Sequence, residues 1–235
     1  MTERKPPAAA AFHYAGHGPN ASTGVAICHG FTGSPLSMLP WAEYLAAQGF
    51  AVTVPLLPGH GTSWHDLATT RWQDWYRAFE KSYMDLAATT ETCFVAGLSM
   101  GGAVALRLAS LHDVPGVVLV NPGLSFYDRR VKYVGALKYV MRTTDPIVED
   151  SPAPELIEDS DYSKTPLKSV HELKKLFRSA TRGLTQVKAP ARLKVVTLPH
   201  SGHVATLDVD APTIFEESAA FFRRHANHRV ASESS

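Results

Sequence analysis

Ser99 stands in the pentapeptide Gly97-Leu98-Ser99-Met100-Gly101, directly after the apolar run CFVAG and directly before the small-residue run GAVALRLAS. A serine on a sharp turn between strand and helix presents its hydroxyl as a nucleophile, and glycine at both flanks leaves room for neighbouring backbone. The helix that follows points its partial positive end at the same hydroxyl. The plainer alternative is a simple strand-to-helix turn. A second group, His29-Gly30-Phe31-Thr32-Gly33, closes an earlier apolar run. There the backbone N–H of Phe31, with that of Met100, would stabilise a developing oxyanion. The third piece is Ser201-Gly202-His203, which puts a general base after the serine in the chain and before the last helix. Eleven histidines make any single one weak evidence; His203 is distinguished by its place. His200 is the less suited base, and a His200/His203 metal pair lacks a third ligand, so no metal is expected.

Such residues need a frame that brings three distant segments to one end of a sheet. Ala11 to Tyr14 reads as extended, and Gly24 to Cys28, Phe50 to Leu57, Thr92 to Leu98 and Val117 to Val120 read as buried strands. Helical spacing fills Met38 to Gln48, Gln73 to Ala88 and Gly101 to Leu111, with Gly49 as the stop of the first. Strand and helix in alternation predict an α/β fold with a mostly parallel sheet and helices on both faces. From Leu124 to about Ser179 the chain turns polar, Pro-dotted and helical. The division expected is a core of residues 1–123 and 180–235, interrupted by a helical cap of residues 124–179. Leu193 to Leu198 reads as a final strand, and Ala211 to His225 as a helix capped by Asp210.

HGFTGSP, PLLPGHG (Pro55 to Gly61), GLSMGG and SGHVATLD together resemble the small bacterial carboxylesterases and monoacylglycerol lipases of the α/β-hydrolase superfamily. The resemblance runs from about Phe12 to His225. It implies a serine hydrolase cleaving carboxylic esters, such as short to medium acyl esters or monoacylglycerols, with a cap over an acyl pocket and no cofactor. Matching motif positions give Ser99 as nucleophile, His203 as base, and Phe31 and Met100 as oxyanion donors.

One family member is missing from its place. The resemblance implies an acid on a loop after a strand between cap and last strand, yet Leu184 to Pro190 leads straight into Ala191 to Leu198. No Asp or Glu lies between Glu172 and Asp208. A late strand-helix unit is therefore expected to be absent. Asn121 occupies the end of the neighbouring strand, where some superfamily members place the acid. Asp128, Asp145, Glu149, Asp150 and Asp161 carry no motif, and Asp208 and Asp210 fit better as residues that cap or orient the last helix. A substitute carboxylate, a weakened Ser–His enzyme and a catalytically impaired or non-catalytic protein are the three readings. With the unit gone, Leu193 to Leu198 is expected to move inward and pair beside Val117 to Val120.

Composition narrows the partners. A net charge of +1 gives no field for nucleic acid. No apolar stretch has the length of a membrane anchor, and the N-terminus does not read as a signal peptide. Cys28 and Cys93 sit in apolar runs as free thiols, which fits a cytoplasmic protein. A small-molecule ester is the expected partner, and an exposed sheet edge offers a surface for oligomerisation. Trp72, Trp75 and Tyr76, with Trp64, read first as helix packing and second as a wall of the acyl site. The lysines of the cap stretch read as a solvated face.

Overall fold

Four apolar runs form the parallel heart of one sheet. β1 (Phe12–Tyr14), β2 (Thr23–Cys28), β3 (Ala51–Val54), β4 (Thr92–Leu98) and β5 (Val117–Val120) assemble in the order β1-β3-β2-β4-β5. Only β1 runs antiparallel, pairing Phe12 with Val54 at the edge. The computed structural model describes residues 10–126, 131, 133–138, 141–145, 164–187 and 193–226. Every residue of β2, β3 and β4 is buried, as a sheet covered on both faces requires.

Alternation along the strands divides the core in two. Ala26, Cys28 and Val95 face α3 (Trp72–Ala87), α4 (Met100–Ala109) and α6 (Leu167–Gly183), through Phe79, Val104 and Leu176. Val25, Ile27, Phe94 and Ala96 face α1 (Leu39–Ala47) and α7 (Ala211–Ala226), through Trp41, Leu45 and Phe222. The Trp41 indole N–H donates to Ser218 Oγ at 2.8 Å and ties α1 to α7 inside that core. Gly49 ends the α1 segment with φ of 91°, and a Cβ there would lie 2.4 Å from the His17 carbonyl oxygen.

Four further elements have no individual place in the sequence expectation. α2 (Trp64–Thr69) forms behind the Ser63 cap, whose hydroxyl oxygen accepts the Asp66 N–H. β6 (Thr143–Thr144) and β7 (Thr165–Pro166) pair antiparallel, and α5 (Val134–Leu137) packs near α6. α6, within the stretch expected as a cap, packs along α4 and α3. No helix among the described residues is long and apolar enough to cross a membrane. Cys28 and Cys93 are buried free thiols.

Leu193 to Leu198 is not a strand, which corrects the expected inward pairing. β5 ends the sheet among the described residues, and Leu193 and Val195 stand 89% and 79% exposed. The physical reason is cover. A strand beside β5 would gain one ladder, but its apolar side chains need a covering layer to be drawn out of water. Leu193 and Val195 find no such cover, so their incentive to pair is small, while Leu198 at the end of the segment packs against the α1 and α7 core. At its start Lys194 forms an exposed ion pair with Glu217 of α7.

Candidate active site

The turn at Ser99 is built by steric exclusion. Ser99 has φ of 53° and ψ of −117°, between the end of β4 and the start of α4. A Cβ on Gly97 would sit 2.3 Å from the Gly101 carbonyl group, and one on Gly101 would sit 2.0 Å from the Cys28 carbonyl oxygen. Neither position tolerates a side chain. The strained backbone is held from β5: Ser99 N–H donates to Val120 O at 3.0 Å, and Gly123 N–H donates to Ser99 O at 2.9 Å. Among the described residues, the non-glycine positions with positive φ are Thr32, Ser99 and Asn121. All three follow the C-terminal ends of parallel strands.

His203 arrives at this end although no strand leads to it among the described residues. Its Nε2 lies 2.8 Å from Ser99 Oγ, close enough to take the hydroxyl proton. Burial holds its pKa below the usual histidine value. The imidazole therefore stays neutral, and able to accept, to a lower pH than an ordinary histidine would. The acidic limb of a kcat/KM profile is expected at a pH below 6.5, the unperturbed histidine value. A pH profile of ester hydrolysis with its limb above that value would contradict the assignment.

The loop bearing His203 is stapled by side chains. Asp208 accepts Gly202 N–H at 2.8 Å and Val209 N–H at 2.7 Å, and these donors hold its carboxyl below the usual range. Asp210 accepts His200 N–H at 2.8 Å, while its own N–H donates to Ser201 Oγ at 2.9 Å. The Asp210 side chain thus secures the loop instead of capping α7; its carbonyl oxygen starts the helix by accepting from Thr213 and Ile214. Thr206 Oγ1 donates to Ser37 O at 3.0 Å in a buried contact. The Asn121 amide donates to Gly202 O at 3.3 Å and to His203 O at 2.9 Å. Of the other carboxylates weighed, Asp145 is exposed, and Asp128, Glu149, Asp150 and Asp161 lie outside the described residues.

Phe31 follows β2 in the turn that faces the elbow, and Met100 is the first residue of α4, whose leading N–H groups have no carbonyl one turn earlier. The direction of the Phe31 N–H is set by the other end of its peptide. Gly30 O is bonded to His29 Nδ1 at 2.9 Å and accepts Gly33 N–H at 3.3 Å. A trans peptide then aims the Phe31 N–H the opposite way. His29 is itself fixed, because its Nε2 accepts Leu57 N–H at 3.2 Å. Sequence reasoning missed this strut and the loop staples: Leu57 lies in a different motif from His29, and the bonds within HGFTGSP and SGHVATLD depend on turn geometry that residue types alone do not give.

Complete burial lowers the His29 pKa to about 4. Its unfolded counterpart takes up a proton near pH 6.5, so folding stability is retained above that pH and declines as pH falls from 6.5 towards 4. Thermal melts at pH 7, 6 and 5 are expected to show a falling midpoint. A midpoint that is flat or rises across that range would contradict the buried neutral ring.

The aromatic stretch mostly packs. Trp75 is fully buried against Phe31 and His60, with its indole N–H donating to Thr70 Oγ1 at 2.9 Å. The Tyr76 hydroxyl donates to Glu80 at 2.7 Å, and Trp64 stacks on His65.

An acid-base pair of serine and histidine, on an elbow at the C-terminal end of a mostly parallel sheet, defines a class of hydrolase fold. The chain belongs to the alpha/beta hydrolase family, whose pattern it matches over residues 25–231. It is 35% identical to a thermostable monoacylglycerol lipase of Bacillus sp. (strain H-257), over 91% of this chain and 94% of that protein. That alignment runs over 240 positions, more than the 235 residues of this chain, so the relative has residues that are lacking here. A carboxylesterase of Bacillus subtilis (strain 168) is 23% identical over 85% of this chain and 92% of its own. Among solved structures, one from a study of two metagenome-derived lipolytic enzymes superposes with a TM-score of 0.85. It is 27% identical and covers 94% of this chain and 99% of its own.

Proposed function

We propose that the protein hydrolyses carboxylic esters of short to medium acyl chains, monoacylglycerols among them, through an acyl-enzyme on Ser99. The observation that carries the reading is the 2.8 Å contact between Ser99 Oγ and His203 Nε2 at a glycine-flanked elbow. His203 takes the hydroxyl proton as Ser99 attacks the ester carbonyl, and the Phe31 and Met100 N–H groups receive the oxyanion. The protonated imidazole then returns the proton to the leaving alcohol. Water, activated by the same ring, releases the acid. The names of the 35% and 23% identical relatives support the ester class.

Within this proposal the chain between 124 and 179 walls the acyl pocket, with α6 anchoring it to the core. The reaction needs no cofactor and no metal, and the two buried thiols suit a cytoplasmic setting. Chromogenic esters of acetate, butyrate, octanoate and palmitate, with a monoacylglycerol in parallel, test the substrate class. Ser99-dependent turnover highest on butyrate or octanoate is the expected outcome. Activity confined to amides or thioesters would overturn the ester assignment.

A further inference from the structure

The segment Val120-Asn121-Pro122-Gly123 touches both halves of the Ser–His pair. Its backbone holds the nucleophile, since Val120 O accepts Ser99 N–H and Gly123 N–H donates to Ser99 O. Its one side-chain amide holds the base, since Asn121 Nδ2 donates to the carbonyls of Gly202 and His203. Asn121 adopts φ of 41°, a conformation asparagine tolerates better than most residues, and this turns its amide towards the His203 loop. The loop needs such an anchor because Leu193 to Leu198, the chain leading into it, is outside the sheet and partly bare to solvent. Asp208 and Asp210 tie the loop to itself and to the start of α7. The Asn121 amide ties it to the body of the fold, alongside the Thr206–Ser37 contact and the burial of Val204 and Ala205 in the core. The Asn121 amide acts on the His203 backbone itself, beside the contact that the ring makes with Ser99.

We infer that Asn121 is a positioning residue, which takes over the registering role of a paired last strand by fixing the His203 backbone to the strand beside the nucleophile. The inference rests on the proposed Ser99–His203 chemistry for its kinetic consequence, but not for its geometric one. A donor fixed at 2.9 Å to the His203 carbonyl sets where the ring can stand. Without it the ring samples positions away from Ser99 Oγ and meets more water. Misplacement on the scale of an ångström costs about 100-fold in rate.

Asn121→Gly isolates the amide, because glycine adopts the positive φ without strain. On the butyrate ester its kcat is expected to fall about 10- to 100-fold with KM within about 3-fold. The acidic limb should move up, towards the ordinary histidine value, as the ring gains solvent. NMR titration of the His203 ring gives a readout independent of turnover, with a higher pKa expected in Asn121→Gly than in the parent. Unchanged ring titration and kcat within about 3-fold in Asn121→Gly would overturn the inference. If parental turnover proves independent of Ser99, the hydrolase reading fails, and the ring titration still decides the placement of His203.

Discussion

Ser99→Ala is expected to reduce kcat on the butyrate ester by about 10⁴-fold or more, with the protein folded and KM little changed. The hydroxyl is the only group the proposal asks to form the covalent intermediate, and its neighbours leave no second nucleophile on the elbow. His203→Ala should cost a similar factor, because without the base the serine remains a poor nucleophile at neutral pH. The two losses are not additive. A double variant should be about as slow as either single one, since the pair acts as a unit. Steady-state kinetics on the three variants check this, and a double variant slower by the product of the two factors would show independent roles.

Gly101→Ala should be the most damaging single methyl group in the molecule. Its Cβ would lie 2.0 Å from the Cys28 carbonyl oxygen and 2.7 Å from the His29 carbonyl oxygen, backbone atoms at the end of β2 and the start of the turn that carries Phe31. No rotamer relieves such a contact; α4 or the end of β2 has to move. A destabilisation of about 4 kcal/mol is expected, at the upper end for one substitution, together with loss of turnover. The movement separates the Met100 and Phe31 N–H groups, so the kinetic loss should persist under conditions where the variant is fully folded. Denaturant melts alongside kinetics test both parts. Wild-type stability would contradict the packing described here.

The readable parts of this molecule were those with local signatures. Thr92 to Leu98 and Val117 to Val120 form strands over the expected residues, because their apolar runs are covered on both faces by helices the sequence also supplies. The elbow was legible because glycine at 97 and 101 is a steric necessity. Leu193 to Leu198 misled for the converse reason. Its side chains suit a strand, but whether an apolar run pairs depends on a neighbour and a covering layer, which a local pattern does not contain. The contacts that place the site span large separations: His29 to Leu57 across 28 residues and Asn121 to His203 across 82. Asn121 stood out in the sequence as a position without a carboxylate. Its amide turns out to reach the backbone of the base-bearing loop, a role visible only once the two segments are folded together.

The central claim is that Ser99 is a nucleophile activated in place by His203. Incubation with a fluorophosphonate probe, read by intact-protein and peptide mass spectrometry, tests it without choosing a substrate. One adduct per chain is expected, located on the peptide containing Ser99, formed slowly in His203→Ala and not at all in Ser99→Ala. An unmodified parent chain, or an adduct that survives Ser99→Ala, would contradict the account.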